Sequence, residues 1–175
     1  LKKSVTPGMT TKDLDNIAMG EITRLGAKPA FLGYQGFPAS ICTSVNEEIV
    51  HGIPGNRKLK EGDIVKVDCG ATVDGFIGDA AVSIPVGEVS KKASDLMDAT
   101  RESLNIGIQA AIPGNRIGDI GSAIQKYAEN LGYGVVREFV GHGIGRFLHE
   151  DPQVPNYGES GKGQLLRTGR CIAIE

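Results

Sequence analysis

The chain has 175 residues, 40% of them hydrophobic, with 19 basic and 21 acidic side chains and a formal net charge of -2, which suits one domain, residues 1–175, with a substantial core. No Lys/Arg run marks a phosphate-tracking surface, so nucleic acid is a poor partner, and no apolar segment approaches the roughly 20 residues that span a bilayer. The start LKKSVTPGMT lacks the apolar core of a signal peptide, and the expectation is a soluble cytoplasmic protein without a membrane partner.

In chain order, TPGMTTKDLDNIAMGEITRLG (residues 6–26) predicts an amphipathic helix. Thr10 is its cap with Asp13 three residues on, Leu14, Ile17, Ala18, Ile22 and Leu25 are its apolar face, and Gly26 is its stop. Ile64, Val65, Val67 and Val73, then Phe76 and Ile77, favour strands around a two-residue hairpin turn at Asp74-Gly75. Residues 90–114 predict a longer helix capped by Ser90, with a buried stripe of Ala93, Leu96, Met97, Thr100, Leu104, Ile108 and Ala111. VVREFV (135–140) reads as a strand leading into His142.

The chain also repeats itself. IPGNRIGDIGSAIQKYAENLG restates the first helix, with Pro113, Gly114, Asp119, Ile120, Ile124, Leu131 and Gly132 each 106 positions after Pro7, Gly8, Asp13, Leu14, Ala18, Leu25 and Gly26. LKEGDIVKVD (59–68) and LRTGRCIAIE (166–175) align at an offset of 107, each an apolar strand that closes on a carboxylate. Repeats of this size predict two related α/β halves facing each other across a pseudo-twofold axis, with Asp68 and Glu175 as equivalent points. The 25 glycines cluster at turns and beside His and Asp, where they allow close backbone approach. Cys42, Cys69 and Cys171 are an odd number without C-x-x-C spacing, and read as free thiols.

If Asp74 and Gly75 form the turn, Gly70 opposes Asp79 and Asp68 lies diagonal to it on the same face. Two carboxylates that close favour a cation between them. The three histidines, His51, His142 and His149, stand in IVHGIPG, FVGHGIGR and FLHEDP, two of them beside glycine. Asp, Asp, His and Glu make an oxygen-rich donor set with one imidazole, suited to Mn, Fe, Co or Zn and not to a thiolate zinc site.

Four stretches, SVNEEIVHGIP, VDCGATVDGFIGDAAV, EFVGHGIGRFLHEDPQVPN and GRCIAIE, resemble those of type I methionine aminopeptidases. The resemblance spans nearly the whole chain and implies an α+β pita-bread fold, two α/β halves around a central antiparallel sheet, incomplete at the C-terminus. It implies four of five metal ligands, Asp68, Asp79, His142 and Glu175, with His51, His149 and Glu175 catalytic. It further implies a methionine pocket of Phe31, Tyr34, Phe37, Cys42 and Leu148, with His51 and His149 also touching substrate. Family members extend further at both ends, and a later segment supplies a second, bridging glutamate. The implied cofactors are therefore two divalent ions (Co, Mn, Fe or Zn) in the complete protein, and one or none in this chain. The implied reaction is removal of N-terminal methionine from nascent chains near the ribosome, before a small second residue, by attack of hydroxide generated at the metals in a monomeric enzyme. A proline-specific metallopeptidase, a peptide-binding module and a metal-free amidinohydrolase are the rivals on that fold.

Overall fold

In the computed structural model, which describes every residue from Leu1 to Glu175, the first helix, α1, spans Thr11–Arg24. Its start follows from a reciprocal capping box. The Thr10 hydroxyl accepts from the Asp13 N–H (3.1 Å), and the Asp13 carboxylate accepts from the Thr10 N–H (2.8 Å). Leu14, Ala18 and Ile22 are buried, as the periodicity predicts. Leu25 is not: it is 68% exposed, because the helix has ended and Gly26 (φ +74°) turns the chain away. The apolar face instead takes in the carboxylate of Asp15, which is buried.

Strands β1 (Lys28–Pro29), β2 (Cys42–Val45), β3 (Ile64–Val73) and β4 (Phe76–Pro85) follow, with a 3-10 turn at Tyr34–Gly36 between the first two. β3 is the spine. β4 pairs along its full length, and β2 and then β1 pair on its other edge, all antiparallel. The hairpin closes on Asp74 and Gly75, both at positive φ, and the register Val73↔Phe76, Gly70↔Asp79 is the one the turn predicts. Alternation along β3 sends Val65 and Val67 into a core with Leu14, Ala18, Ile41, Leu59 and Ile84 and leaves Asp68 and Gly70 on the opposite face.

Helix α2 (Lys91–Ala110) and helix α3 (Ile117–Asn130) come next, then β5 (Gly141–Gly143), β6 (Glu150–Val154) and β7 (Ile172–Ala173). These strands form a second antiparallel sheet ordered β6-β5-β7. Cα packing divides the chain into two compact units, Leu1–Ser94 and Asp95–Glu175. The stripe expected on α2 is wrong: its buried residues are Ala99, Ser103 and Gly107, while Leu96 and Ile108 are 43% and 54% exposed. Small size selects this face. A Cβ at Gly107 would lie 2.6 Å from Ile124 Cδ1, so α3 packs against bare backbone there. VVREFV forms no strand; β5 begins only at Gly141.

The internal repeat is present in the hydrogen bonds, within each unit separately. Gly8 N–H donates to Leu59 O and Gly114 N–H to Leu166 O. Thr11 N–H donates to Arg57 O and Ile117 N–H to Gln164 O, both at 3.0 Å; Leu59 N–H returns to Met9 O and Leu166 N–H to Asn115 O, both at 2.8 Å. Leu14 and Ile120, equivalent by sequence, are both 0% exposed.

Candidate functional site

In the first unit the predicted carboxylates share one face. Asp68 on β3 pairs with Ala81 on one side and Cys42 on the other, and Asp79 on β4 pairs with Gly70 two residues further along. Gly70 is required here. A Cβ on it would sit 2.5 Å from Phe31 Cε1, so the absence of a side chain lets the Phe31 ring lie over the strand beside Asp79. Phe31 and Cys42 are buried, while Tyr34 and Phe37 are half-buried in the loop that joins them. That loop folds on its own backbone, with Tyr34 N–H to Phe31 O (3.0 Å), Gly33 N–H to Phe37 O (2.8 Å) and Phe37 N–H to Tyr34 O (2.9 Å). Burial, and then the negative charges of Asp68 and Asp79, push the Cys42 thiol up to about 12. Cys42 is therefore a neutral apolar wall that feels both carboxylates.

His51 is exposed and takes φ +60°, in the left-handed region that non-glycine residues rarely occupy. Its neighbour holds it there. Gly52 O accepts from the Thr43 N–H (2.8 Å), Gly52 N–H donates to Ser44 Oγ (3.0 Å), and a Cβ at Gly52 would lie 2.2 Å from Thr43 O. The loop is braced by Glu48, which accepts from Val45 N–H at 2.7 Å and pairs with Arg57 at 2.8 Å.

In the second unit, His142 sits in the middle of β5, between Gln153 of β6 and Ala173 of β7, and is 7% exposed. The flanking glycines make that possible: a Cβ at Gly141 would be 2.3 Å from Ala173 O, and one at Gly143 2.3 Å from Asp151 O. His142 Nδ1 lies 2.8 Å from Gly143 O. A carbonyl can only accept, so Nδ1 is the donor there and Nε2 is the ring atom left to serve the site. Nε2 lies 3.2 Å from Glu175 Oε1. This spacing fits a divalent cation held between the two atoms, or a shared proton. Asn156 Nδ2 donates to the Glu175 backbone carbonyl, which anchors the residue beyond β7. His149 stacks edge-on against His142 with ring centroids 4.4 Å apart, and both line an open cleft of about 460 Å³ with Val140, Glu150 and Gln153. Leu148 is buried in the same unit.

Within the first unit, then, Asp68, Asp79, Cys42 and Phe31 come together on one sheet face, and in the second His142, His149 and Glu175 do. All three cysteines are free, and no helix is long and apolar enough to cross a membrane. Two contributors were missed. Asp15 accepts hydrogen bonds from Ser40 N–H and Oγ–H, just before Cys42, and its signal was an acid inside the Leu14–Ala18 apolar stripe. Asn156 left no sequence signal beyond its place in a quoted motif.

The model of the family described as "Metallopeptidase family M24" matches residues 1–175. A protein of Clostridium acetobutylicum named methionine aminopeptidase is 54% identical over all of this chain and 70% of its own length. Methionine aminopeptidase 1 of Bacillus subtilis is also 54% identical, over all of this chain and 71% of its own. Among solved structures, methionine aminopeptidase from Rickettsia prowazekii superposes with a TM-score of 0.97 at 43% identity, covering 99% of this chain and 70% of that one.

Proposed function

The chain belongs to metallopeptidase family M24, and on that premise we propose that it removes N-terminal methionine from peptides and nascent proteins whose second residue is small. Its fold is the pita-bread fold of that family, and membership implies a divalent metal. The observation that carries the reading is the placement of the His142 ring. Nδ1 lies against Gly143 O and Nε2 is turned on the Glu175 carboxylate at 3.2 Å, an arrangement that suits an imidazole and a carboxylate serving one ion.

On this reading Asp68, Asp79, His142 and Glu175 hold the metal, of which Co, Mn, Fe and Zn all suit an oxygen-rich set with one imidazole. When bound, the ion supplies Lewis acidity and makes water at the site acidic enough to yield hydroxide near neutral pH. The Glu175 carboxylate accepts the proton that this water gives up. A His149 ring N–H donates to the substrate carbonyl oxygen as it gains negative charge. His51, fixed by its neighbour's bonds to β2, contacts the scissile amide. Phe31, Tyr34, Phe37, Cys42 and Leu148 receive the unbranched thioether side chain by apolar contact, and a neutral Cys42 suits that task.

The test is methionine release from a Met-Gly-containing peptide by the purified protein and by Asp68→Asn and His142→Ala variants of unchanged circular dichroism. The expected result is a loss of about 100-fold or more for each, the scale seen when one group that stabilises the reacting centre is removed. Release at the unaltered rate overturns the assignment.

A further inference from the structure

Asp15 is a carboxylate with 4% of its surface exposed, on the inward face of α1 between Leu14 and Ala18. Burying a charge is costly unless its acceptor sites are filled. Here they are filled by one short stretch and one lysine. Oδ1 accepts from Ser40 N–H (2.8 Å), Ser40 Oγ–H (2.5 Å) and Ile41 N–H (3.3 Å), and Oδ2 from Lys12 Nζ (2.8 Å). Ser40 and Ile41 are both 0% exposed, and the next residue, Cys42, is the β2 partner of Asp68.

The repeat supplies an independent observation. The residue 106 positions after Asp15 is Gly121, on the same turn of α3. A Cβ there would lie 2.3 Å from Tyr157 O and 2.6 Å from Pro155 O, so the helix backbone rests directly on residues 155–157. Asn156, between them, donates to the Glu175 carbonyl. One position of the duplicated helix thus grips, in each unit, the segment next to a carboxylate of the site: by a charged hydrogen-bond acceptor in the first, by bare backbone in the second. Core stability alone calls for apolar residues, which flank Asp15 on both sides. Directional bonds to a buried charge specify register.

We propose that Asp15 and Gly121 are positioning residues, Asp15 setting Cys42 beside Asp68 and Gly121 setting Asn156 and hence Glu175. The metal-related part rests on the metallopeptidase reading above; the positional part does not.

The experiment uses the full chain with Asp15→Asn, Gly121→Ala, and Ala18→Gly as a destabilised control on α1. Hydrogen exchange is read first, without metal. Asp15→Asn should speed exchange in residues 40–45 by about tenfold while the last turns of α1 are unchanged. Ala18→Gly should loosen α1 instead. Mn(II) titration is read second. Both positioning variants should bind about tenfold more weakly, the usual scale for a group that orients a ligand, and Ala18→Gly should bind like wild type. If Asp15→Asn fails to fold, Ser40→Ala removes the hydroxyl donor to Oδ1 and leaves the Ser40 and Ile41 N–H donors in place, and it carries the same expectation at smaller size. Unchanged exchange in residues 40–45, uniform acceleration over the whole first unit, or equal loss of Mn(II) affinity in the control each overturns the proposal. A wild-type protein that takes up no Mn(II) overturns the metal-related part of the proposal, while the exchange pattern still decides what Asp15 does.

Discussion

The two units begin on one plan and diverge where the candidate site residues stand. Each enters its helix through a Pro-Gly turn, lays the first turn against a leucine 51 or 52 positions later (Gly8 on Leu59, Gly114 on Leu166) and buries one fully covered aliphatic residue, Leu14 or Ile120. Beyond that frame they differ. The first unit spends ten residues in each arm of a regular hairpin, which sets Asp68 and Asp79 on one face. The second holds His142 on a three-residue strand with a register shift just after it, closed in by glycines. The lesson is that the two units share a backbone frame with one fully covered aliphatic residue in each, whereas the candidate site residues are placed by whatever local device suits the side chain: alternation for two carboxylates, backbone crowding for an imidazole.

The comparison breaks most sharply at the shared frame. Leu14→Ala and Ile120→Ala should each cost about 2–5 kcal/mol, and denaturant midpoints should show similar losses. A loss at one position only would mean that the units are not built alike. Next in size is Gly118→Ala. A Cβ there meets Glu159 O at 2.2 Å and Lys162 O at 2.8 Å, an overpacking cost of about 1–3 kcal/mol; the equivalent Lys12 already carries a side chain, so that position has no such crowding to test, and Lys12→Ala would instead remove the ion pair to the buried Asp15.

Smaller effects sharpen the difference in caps. Thr10→Ala removes a hydroxyl that accepts from the Asp13 N–H and should cost about 1 kcal/mol. At the equivalent Arg116 only the backbone N–H serves the box, donating to Asp119 at 2.7 Å, so Arg116→Ala should cost less in thermal melts. The smallest effect is in acid. Asp13 is held below the usual carboxylate range chiefly by the Thr10 hydroxyl, and Asp119 by the Ser160 hydroxyl and the Arg116 and Gly161 N–H groups. A lowered folded pKa stabilises above the unfolded value of about 3.9 and is lost as pH falls through the folded one. Melting midpoints should therefore decline below about pH 4, and Asp13→Asn and Asp119→Asn should each flatten that decline.

Much of this was legible in the amino-acid order because it rests on local rules. Asp74-Gly75 sets the hairpin register, and with it the shared face of Asp68 and Asp79; Thr10 and Asp13 set the start of α1. What stayed hidden depends on partners distant in sequence. The buried face of α2 is chosen by how closely Ile124 approaches Gly107, not by hydrophobicity, so the Leu96–Ile108 stripe misled. VVREFV has strand-forming residues but lies outside the second sheet, whose strand β5 begins at Gly141. Asp15 looked like a polar interruption of a helix until Ser40 and Ile41 closed on it. Leu25 followed the helical period one residue past the point where the helix ends.

The most direct test of the central claim is a calorimetric Co(II) titration of the wild-type protein beside Asp79→Asn and His142→Ala, one change in each unit. Metal uptake by the wild type that weakens about tenfold or more in both variants is the result the shared-ligand account predicts. Uptake by both variants equal to that of the wild type contradicts it.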